Sequence, residues 1–397
     1  MCTEIGPGCP CSPQEQERGE FFKKELEGIT DEAKKEEFTC APNTHLGWFK
    51  MALVIELIGV IFYSFSLAGI LPLPFAIIST IIAVFVFIIF ILEFVFYKEF
   101  VDFLYKKKKS SNIIGTIKAK GPVKNLIIFS GHHDSAWQYT WLRYLNGGYY
   151  LAAAWLMITV LIALLVTGIR LIQLIIDPSL GNVFSPQPIY WWFILPPAFI
   201  FAFFFAEKGK NGGNVPGALD NLAAVATSWT IGRILKRHPE LIPNNTEIRL
   251  VSFGCEEAGC RGSHRYVQQH LEELKKYDAA CFNFESLLDT KIKILTTDIN
   301  SMVKNSKEFV EEVVKAAEQS GVPFEVEPFK FGGGATDAGR FAEAGIKTMS
   351  LFSLKVPEQM IKYYHQEFDN YDIIKKETLG NALKIAVEFL RNRSKST

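Results

Sequence analysis

The sequence lacks an excess of charge of either sign. Its 397 residues contain 42 lysines and arginines and 42 aspartates and glutamates, so the formal net charge at pH 7 is zero. A protein that binds nucleic acid or another polyanion usually carries an excess or a run of basic residues. The balance therefore gives no support for a nucleic-acid partner, and we expect none.

Cysteine is scarce and irregularly spaced. An odd number of cysteines without a regular pattern is typical of free thiols in a reducing compartment and not of a disulfide framework. Cys9 and Cys11 could bind a metal, but no second pair follows to complete four ligands, so we interpret them as ordinary thiols. The seven positions are Cys2, Cys9, Cys11, Cys40, Cys255, Cys260 and Cys281.

Two further signals are missing. The first forty residues are polar and charged, so we expect no cleavable signal peptide. Gly332, Gly333 and Gly334 are not surrounded by the strand and helix spacing of a dinucleotide-binding loop, so they do not predict a nucleotide cofactor.

Long apolar runs, by contrast, are abundant. Four blocks carry almost no charge, and each approaches the ~20 residues that cross a bilayer as a helix. Short loops containing proline join them in pairs, which predicts two hairpins. Helices that are apolar on every face also occur inside large soluble proteins, but the near absence of charge favours the membrane. The blocks are Phe49–Leu71, Phe75–Tyr97, Gly148–Ile169 and Tyr190–Ala206.

The hairpins divide the chain into five segments. Hairpin one spans residues 49–97 and hairpin two spans residues 148–206. Residues 1–48, 98–147 and 207–397 are predicted to form one domain on one side of the membrane, because two complete hairpins return the chain to the side it left. Basic residues near the spans lie mostly on that side, which places the domain in the cytoplasm by the positive-inside tendency. We therefore predict an integral membrane protein with four spans.

Strands and helices alternate through the polar part of the chain. This order predicts an α/β fold with a mostly parallel, mixed sheet and helices on both faces. Ser12, with proline next and Glu15 three residues later, predicts the start of a helix. The predicted strands are Glu36–Ala41, Leu126–Phe129, Glu247–Phe253, Ala279–Phe284, Lys291–Thr296 and Thr348–Phe352, and the later helices are Gly262–Lys276, Lys304–Gln319, Thr336–Ala344 and Asp372–Asn392.

Acidic and histidine residues follow the predicted strands. Two histidines and three carboxylates without cysteine suit a pair of divalent metal ions, typically zinc, with a further glutamate to handle a proton. The segments that contain these residues are His132 to Asp134, Asp220 with Asn221, Glu256 with Glu257, Glu285, and His365.

In this order the segments resemble the di-zinc exopeptidases of metallopeptidase family twenty-eight, which includes aminopeptidases. The resemblance implies a zinc-aminopeptidase-like fold, a peptide or amide substrate and two Zn²⁺ ions, for which Mn²⁺ or Co²⁺ could substitute. His132 and Glu285 would bind the first ion, Glu257 and His365 the second, and Asp220 would bridge both.

The resemblance also implies roles for residues that do not bind metal. Glu256 would be the general base that takes a proton from the attacking water and passes it to the leaving amine. Asp134 would orient His132, and Asp369 would support His365 in a similar way. Tyr364 resembles a tyrosine that steadies the oxyanion.

Two neighbouring features have weaker roles in this comparison. His133 fills the variable middle position of His-x-Asp, so we interpret it as a spacer. Asp337, with the glycines before it, resembles a loop that lines the substrate pocket.

Two departures from the family pattern keep the exact reaction open. Glu285 stands where many such aminopeptidases have aspartate, and glutamate accompanies carboxypeptidase activity in related families. The alternatives to a membrane-anchored aminopeptidase are therefore a carboxypeptidase or dipeptidase, an amidase acting on a membrane-associated substrate, and a non-catalytic receptor on the same fold. Hairpin two lies between His132 and Asp220, so we expect the site close to the membrane surface.

Overall fold

The chain is divided into two compact units that alternate along the sequence. The computed structural model describes residues 1–178, 185–207, 209 and 213–396. Unit one consists of Met1–Pro42, Lys106–Gln138 and Glu207–Thr397, and unit two consists of Asn43–Tyr105 and Tyr139–Ala206. Residues 179–184, in the predicted loop between the last two apolar blocks, lie outside the described residues, as do Lys208 and Lys210 beside the fourth block.

The helices are numbered here in chain order. They are α1 (Pro13–Glu27), α2 (Trp48–Leu67), α3 (Pro72–Phe90), α4 (Thr140–Leu145), α5 (Gly148–Ile176), α6 (Trp191–Phe203), α7 (Ala223–Arg237), α8 (Arg261–Lys276), α9 (Lys307–Ser320), α10 (Asp337–Glu343), α11 (Glu358–Tyr363) and α12 (Lys376–Ser396).

Unit one is built on an eight-stranded mixed sheet. Its order is β1-β2-β4-β3-β5-β8-β6-β7. The central strands β4, β3, β5 and β8 run parallel, whereas β1, β2 and the β8–β6 pair introduce antiparallel neighbours. The predicted α/β class with a mixed sheet is confirmed. The strands are β1 (Glu32–Cys40), β2 (Lys108–Ile117), β3 (Asn125–His132), β4 (Thr246–Phe253), β5 (Ala280–Leu287), β6 (Ile292–Leu295), β7 (Phe324–Glu327) and β8 (Lys347–Ser353).

Strand β3 lies at the centre of the sheet and is buried on both faces. Ile127 and Phe129 belong to the core on one face, which also contains side chains of α1, α7, α9 and α12. Leu126 and Ile128 belong to the core on the other face, with side chains of α8 and α10. Successive side chains of a strand alternate between faces, so a continuous apolar run indicates a strand covered on both sides.

Several element boundaries differ from the prediction. Strand β1 begins at Glu32 and not at Glu36, because its charged first half pairs with β2 at the sheet edge and stays partly exposed. Strands β2 and β7 were not predicted. Helix α9 begins after Ser306, whose hydroxyl accepts the Phe309 N–H, and ends at Gly321, whose φ of 66° matches the predicted stop.

Unit two contains the apolar helices. Among the described residues, three helices are long and apolar enough to cross a membrane: Trp48–Leu67, Pro72–Val95 and Gly148–Ile176. The fourth predicted span is instead the shorter apolar helix Pro188–Phe203, which contains Pro196 and Pro197. In the part of the chain that the structure describes, three of the four predicted spans are therefore candidates by length and composition.

Phe129→Ala is expected to lower the free energy of unfolding by about 3–5 kcal/mol. The ring packs against Phe282, Phe284 and Phe389, so its removal leaves a cavity in the centre of the sheet. Thermal unfolding of the detergent-purified protein measures the loss. The control Phe331→Ala removes a ring that is 52% exposed, and we expect it to change stability by no more than about 0.5 kcal/mol. Equal losses would contradict the central position of Phe129.

Candidate metal centre

The parallel strands bring polar residues to one edge of the sheet. His132 is the last residue of β3, Glu285 lies near the end of β5, and Glu256 and Glu257 follow β4. Because β3, β4 and β5 run parallel, their carboxyl ends lie side by side. Asp220 precedes α7 and His365 follows α11, and both reach the same place.

Asp220 lies between the two histidines. Its Oδ1 is 3.2 Å from His132 Nε2, and its Oδ2 is 3.5 Å from His365 Nε2. His365 Nε2 is also 3.2 Å from Glu257 Oε2, and His132 Nε2 is 3.9 Å from Glu285 Oε1. All five side chains are buried. They form two groups of three possible metal ligands, and Asp220 belongs to both groups.

These separations suit ligands that share a small divalent cation. Zinc lies about 2.1 Å from nitrogen or oxygen ligands, so two ligands in tetrahedral geometry are about 3.4 Å apart. The contacts of Asp220 with both histidines, and of His365 with Glu257, are close to that value. The ligand atoms therefore need only small movements to accommodate two cations.

The surrounding carboxylates favour the protonated form of both histidines. Burial alone would lower the pKa of His132, but the charge of Glu256 and contacts with other carboxylates raise that pKa well above its usual value. Burial also opposes protonation of His365, yet the charge of Glu257 helps to raise its pKa to about 9. Burial would raise the pKa of Asp220, but its contacts with both histidines lower it. A bound cation would take the place of these protons.

Burial has the largest effect on the pKa of the glutamates of the site. Burial raises the pKa of Glu256 and Glu285 well above the usual range and raises that of Glu257 as well. Removing carboxylates from water disfavours their charged form unless a cation compensates. A positive charge at the site would therefore stabilise the ionised form of these carboxylates.

Glu256 and Tyr364 border the five-residue cluster. Glu256 Oε2 is 3.7 Å from His132 Nε2, and its other oxygen accepts the Cys260 thiol at 3.1 Å. The ring of Tyr364 is half-buried and stacks on His365, with centroids 3.8 Å apart. Asp337 is buried and lies within 4.8 Å of Glu256 and Cys260. Residues named from the sequence thus lie together in space.

Asp134 connects β3 to the loop that contains both glutamates. Its two carboxylate oxygens accept the backbone N–H groups of Glu256 and Glu257, each at 3.0 Å. Its Oδ1 is also 3.4 Å from His132 Nδ1. One carboxylate therefore orients three site residues and not His132 alone. His133 Nδ1, by comparison, contacts Ser252 Oγ at 2.8 Å, and His133 belongs to neither ligand group.

Two supporting residues were missed or only partly foreseen in the sequence. Asn221 donates to Glu285 Oε2 at 3.1 Å and accepts the Ser286 N–H, so it holds the glutamate in place. Asp369 was predicted to support His365. In the structure it accepts the backbone N–H groups of Leu219 and Asp220, and therefore positions the carboxylate between the histidines. In the sequence, Asn221 was noted only as the residue that follows Asp220 in the family motif. No local pattern linked Asp369 to Asp220.

Comparisons with known proteins agree with this geometry. Residues 205–390 match the family described as Peptidase family M28. The chain is 30% identical over 168 residues to Aminopeptidase YwaD of Bacillus subtilis (strain 168). That match covers 42% of this chain and 35% of the relative, so it spans about a third of that protein. These similarities relate the chain to zinc metallopeptidases.

Two solved structures share the fold. One is BSAP, a zinc aminopeptidase from Bacillus subtilis, with a TM-score of 0.53 and 14% identity over 98% of this chain and 91% of that one. The other is a Zn-dependent exopeptidase from Parabacteroides distasonis ATCC 8503, with a TM-score of 0.54 and 13% identity over 98% and 94% of the two chains. At these identities the likeness shows a common α/β fold.

Asp134→Asn is expected to weaken metal binding at the centre by about 10- to 100-fold. An amide nitrogen cannot accept the N–H group that a carboxylate oxygen now accepts, so the Glu256–Glu257 loop and His132 lose their common support. Competition with a chelator of known affinity measures the change.

His133→Asn is the matched control, because it changes the adjacent residue outside both ligand groups. It should retain the metal affinity of the unmodified protein. Loss of binding in this variant, with normal binding in Asp134→Asn, would contradict the arrangement.

Proposed function

We propose that this protein is a membrane-anchored, zinc-dependent exopeptidase of the aminopeptidase type. The observation that carries the proposal is the position of Asp220, whose two oxygens each face a different buried histidine. A carboxylate shared by two ligand groups is the arrangement that a pair of metal ions requires. The family match and the aminopeptidase relative support the same reaction class.

The residues present fit two zinc ions. The ligand atoms are nitrogen and oxygen, which suit zinc and also Mn²⁺ or Co²⁺. Glu257 Oε1 is buried and has no hydrogen-bond partner among the residues that the structure describes, which is costly unless a cation satisfies it. His132, Asp220 and Glu285 would hold one ion, and Asp220, Glu257 and His365 would hold the other.

The catalytic steps depend on residues around the metals. Bound zinc would act as a Lewis acid that polarises the peptide carbonyl and makes water more acidic. Glu256 is the proposed general base, which takes a proton from the attacking water and delivers it to the leaving amine. Burial raises the pKa of Glu256, so the carboxyl can hold that proton between the two steps. Tyr364, stacked on His365, is the proposed donor to the oxyanion.

A second reaction class has one specific residue in its favour. Glu285, in the position where related aminopeptidases often have aspartate, is compatible with a carboxypeptidase or dipeptidase. An amidase acting on a membrane-associated substrate would use the same groups. A non-catalytic receptor fits less well, because the complete ligand set converges and Glu256 lies beside it.

The membrane topology is also part of the proposal. The three segments of unit one form one compact unit, so they must share one side of a membrane. Each insertion must then cross an even number of times, which favours four crossings with Pro188–Phe203 as a short return span. Lys50, Lys98, Lys106–Lys109 and Arg143 flank the spans on the side of unit one, which indicates a cytoplasmic catalytic unit. A site near the membrane surface stays a prediction.

Glu256→Gln is expected to lower turnover of a peptide substrate by ~100-fold or more while metal content stays unchanged. The amide cannot accept a proton, but Glu256 belongs to neither proposed zinc-ligand set. Glu257→Gln serves as the comparison, because loss of that ligand should reduce the metal content. Metal analysis and steady-state kinetics on the detergent-purified protein separate the two effects. Full turnover by the Glu256→Gln protein would refute the general-base role.

Substrates with blocked ends distinguish the exopeptidase classes. An aminopeptidase should cleave peptides with a free amino terminus and a blocked carboxyl terminus, and should not cleave the reverse set. Product analysis by mass spectrometry measures this preference. Cleavage only of peptides with a free carboxyl terminus would replace the aminopeptidase assignment with a carboxypeptidase.

Sealed vesicles test the proposed topology. A protease-cleavable tag after residue 397 should be protected in right-side-out vesicles and cleaved in inverted ones. A tag inserted between α5 and α6 should show the opposite pattern. Identical behaviour of the two tags would mean that the second insertion does not cross the bilayer.

A further inference from the structure

Three cysteine sulfurs meet at a place that the proposed reaction does not use. Cys11 lies just before α1, Cys40 ends β1, and Cys255 follows β4. The sulfur of Cys11 is 3.5 Å from that of Cys40 and 3.7 Å from that of Cys255, and the Cys40 and Cys255 sulfurs are 3.1 Å apart. Cys40 and Cys255 are buried and Cys11 is partly exposed.

The separations are those of metal ligands. Zinc binds thiolate sulfur at about 2.3 Å, so two sulfurs in tetrahedral geometry are about 3.8 Å apart. Two of the three distances are within a few tenths of an ångström of that value, and the third needs a modest widening. All three thiols are free, and their sulfurs are too far apart for a disulfide bond.

A buried carboxylate fixes the backbone of two of the three cysteines. Glu15 Oε2 accepts the Cys11 N–H at 2.8 Å, and Glu15 Oε1 accepts the Cys255 N–H at 2.8 Å. Ser110 Oγ also donates to Oε1. The side chain of Glu15 is fully buried, so these bonds are shielded from water. The thiols are therefore held together before any ion binds, which lowers the entropic cost of binding.

The backbone of two of the three cysteines adopts an uncommon conformation. Cys11 has φ of 59° and Cys255 has φ of 57°, which is the left-handed region that residues other than glycine rarely adopt. Gly254, beside Cys255, must be glycine because a Cβ there would lie 2.5 Å from Ser110 Oγ and 3.2 Å from Glu15 Oε1. Several local constraints thus favour the convergence of the three side chains.

Positive charge acts on one of the three sulfurs. Contacts with the Cys11 and Cys255 sulfurs lower the pKa of the Cys40 thiol, and the guanidinium charges of Arg261 and Arg265 lower it further. Thiolates bind zinc, and nearby positive charge offsets the excess negative charge of three thiolates around a divalent ion. The partial exposure of Cys11 leaves a route for solvent to a fourth coordination position.

We propose that Cys11, Cys40 and Cys255 bind one thiophilic divalent cation, zinc, separately from the histidine and carboxylate centre. The ion would join three segments of unit one that are far apart in sequence. It would also hold Cys255 directly before Glu256 and Glu257, whose N–H groups Asp134 holds from the other side. The site would stabilise the loop that contains the proposed general base, and its existence does not depend on the proposed peptidase activity.

Thiolate charge-transfer absorption tests the proposal directly. The full chain, purified in detergent under reducing conditions and stripped of metal, would be titrated with Cd²⁺ or Co²⁺ as probes. We expect an ultraviolet thiolate-to-metal band that saturates at one ion per chain. The histidine and carboxylate centre has no sulfur ligand and produces no such band, so failure of the proposed peptidase function would leave this result unchanged.

Single substitutions assign the band to the cluster. Cys11→Ser, Cys40→Ser and Cys255→Ser should each weaken the band strongly and lower the bound zinc by one ion per chain. Cys2→Ser and Cys281→Ser, which change cysteines outside the cluster, should retain both. Cys11→Ser is the mildest variant, because its side chain is partly exposed and the fold should tolerate the change.

Three results would overturn the proposal. The first is metal binding by the unmodified protein without a thiolate band, a measurement that needs no variant. The second is a band that persists at full intensity in Cys40→Ser. The third is recovery of the purified protein with Cys40 and Cys255 joined in a disulfide, as thiol titration and peptide mapping would reveal, because the cluster would then be a redox pair.

Discussion

Five ionisable side chains are buried together at one edge of the sheet. Contacts within much of unit one lower the free-energy cost of burying them. Removing an unpaired charge from water costs several kcal/mol even after relaxation. Asp220 lessens that cost because each of its two carboxylate oxygens contacts a different histidine. Although burial opposes it, contacts with carboxylates raise the pKa of both histidines, and burial raises the pKa of the neighbouring Glu285. The same electrostatic demand favours a divalent cation at the cluster.

The supporting hydrogen bonds show how the fold maintains this centre. Asp134, Asn221 and Asp369 each connect a site residue to a different part of the backbone. Their partners come from strand ends and from the segments before α7 and after α11. Glu15 extends this support to the N-terminal segment, and the sulfur of Cys40 connects β1 to the same cluster. The proposed catalytic loop is therefore held on one side by the histidine and carboxylate centre and on the other side by the cysteine cluster.

The alternation of the two units along the chain places a further constraint on the protein. Both apolar insertions begin and end in segments of unit one, so unit one is assembled from three separate stretches of the chain. The second insertion separates β3, which ends at His132, from the segment with Asp220. A compact metal centre can nevertheless form, because β3 takes its position from its pairing with β4 and β5, which lie later in the chain.

The sequence by itself determined the features that depend on local pattern. The apolar run of β3 predicted a buried strand, Ser12 and Pro13 predicted the start of α1, and the ordered motifs named residues that the structure brings together. Charge-free runs predicted apolar helices, although run length alone overstated the fourth, whose helix is shorter than its apolar block.

Only the tertiary structure decided which distant groups meet. Cys11, Cys40 and Cys255 looked unrelated because their spacing follows no motif, yet β1, β4 and the start of α1 bring their sulfurs together. Asp369 and Asn221 acquired their supporting roles in the same way. Local sequence encodes backbone preference and burial, whereas contacts between distant segments depend on how strands pair and helices pack across the whole unit.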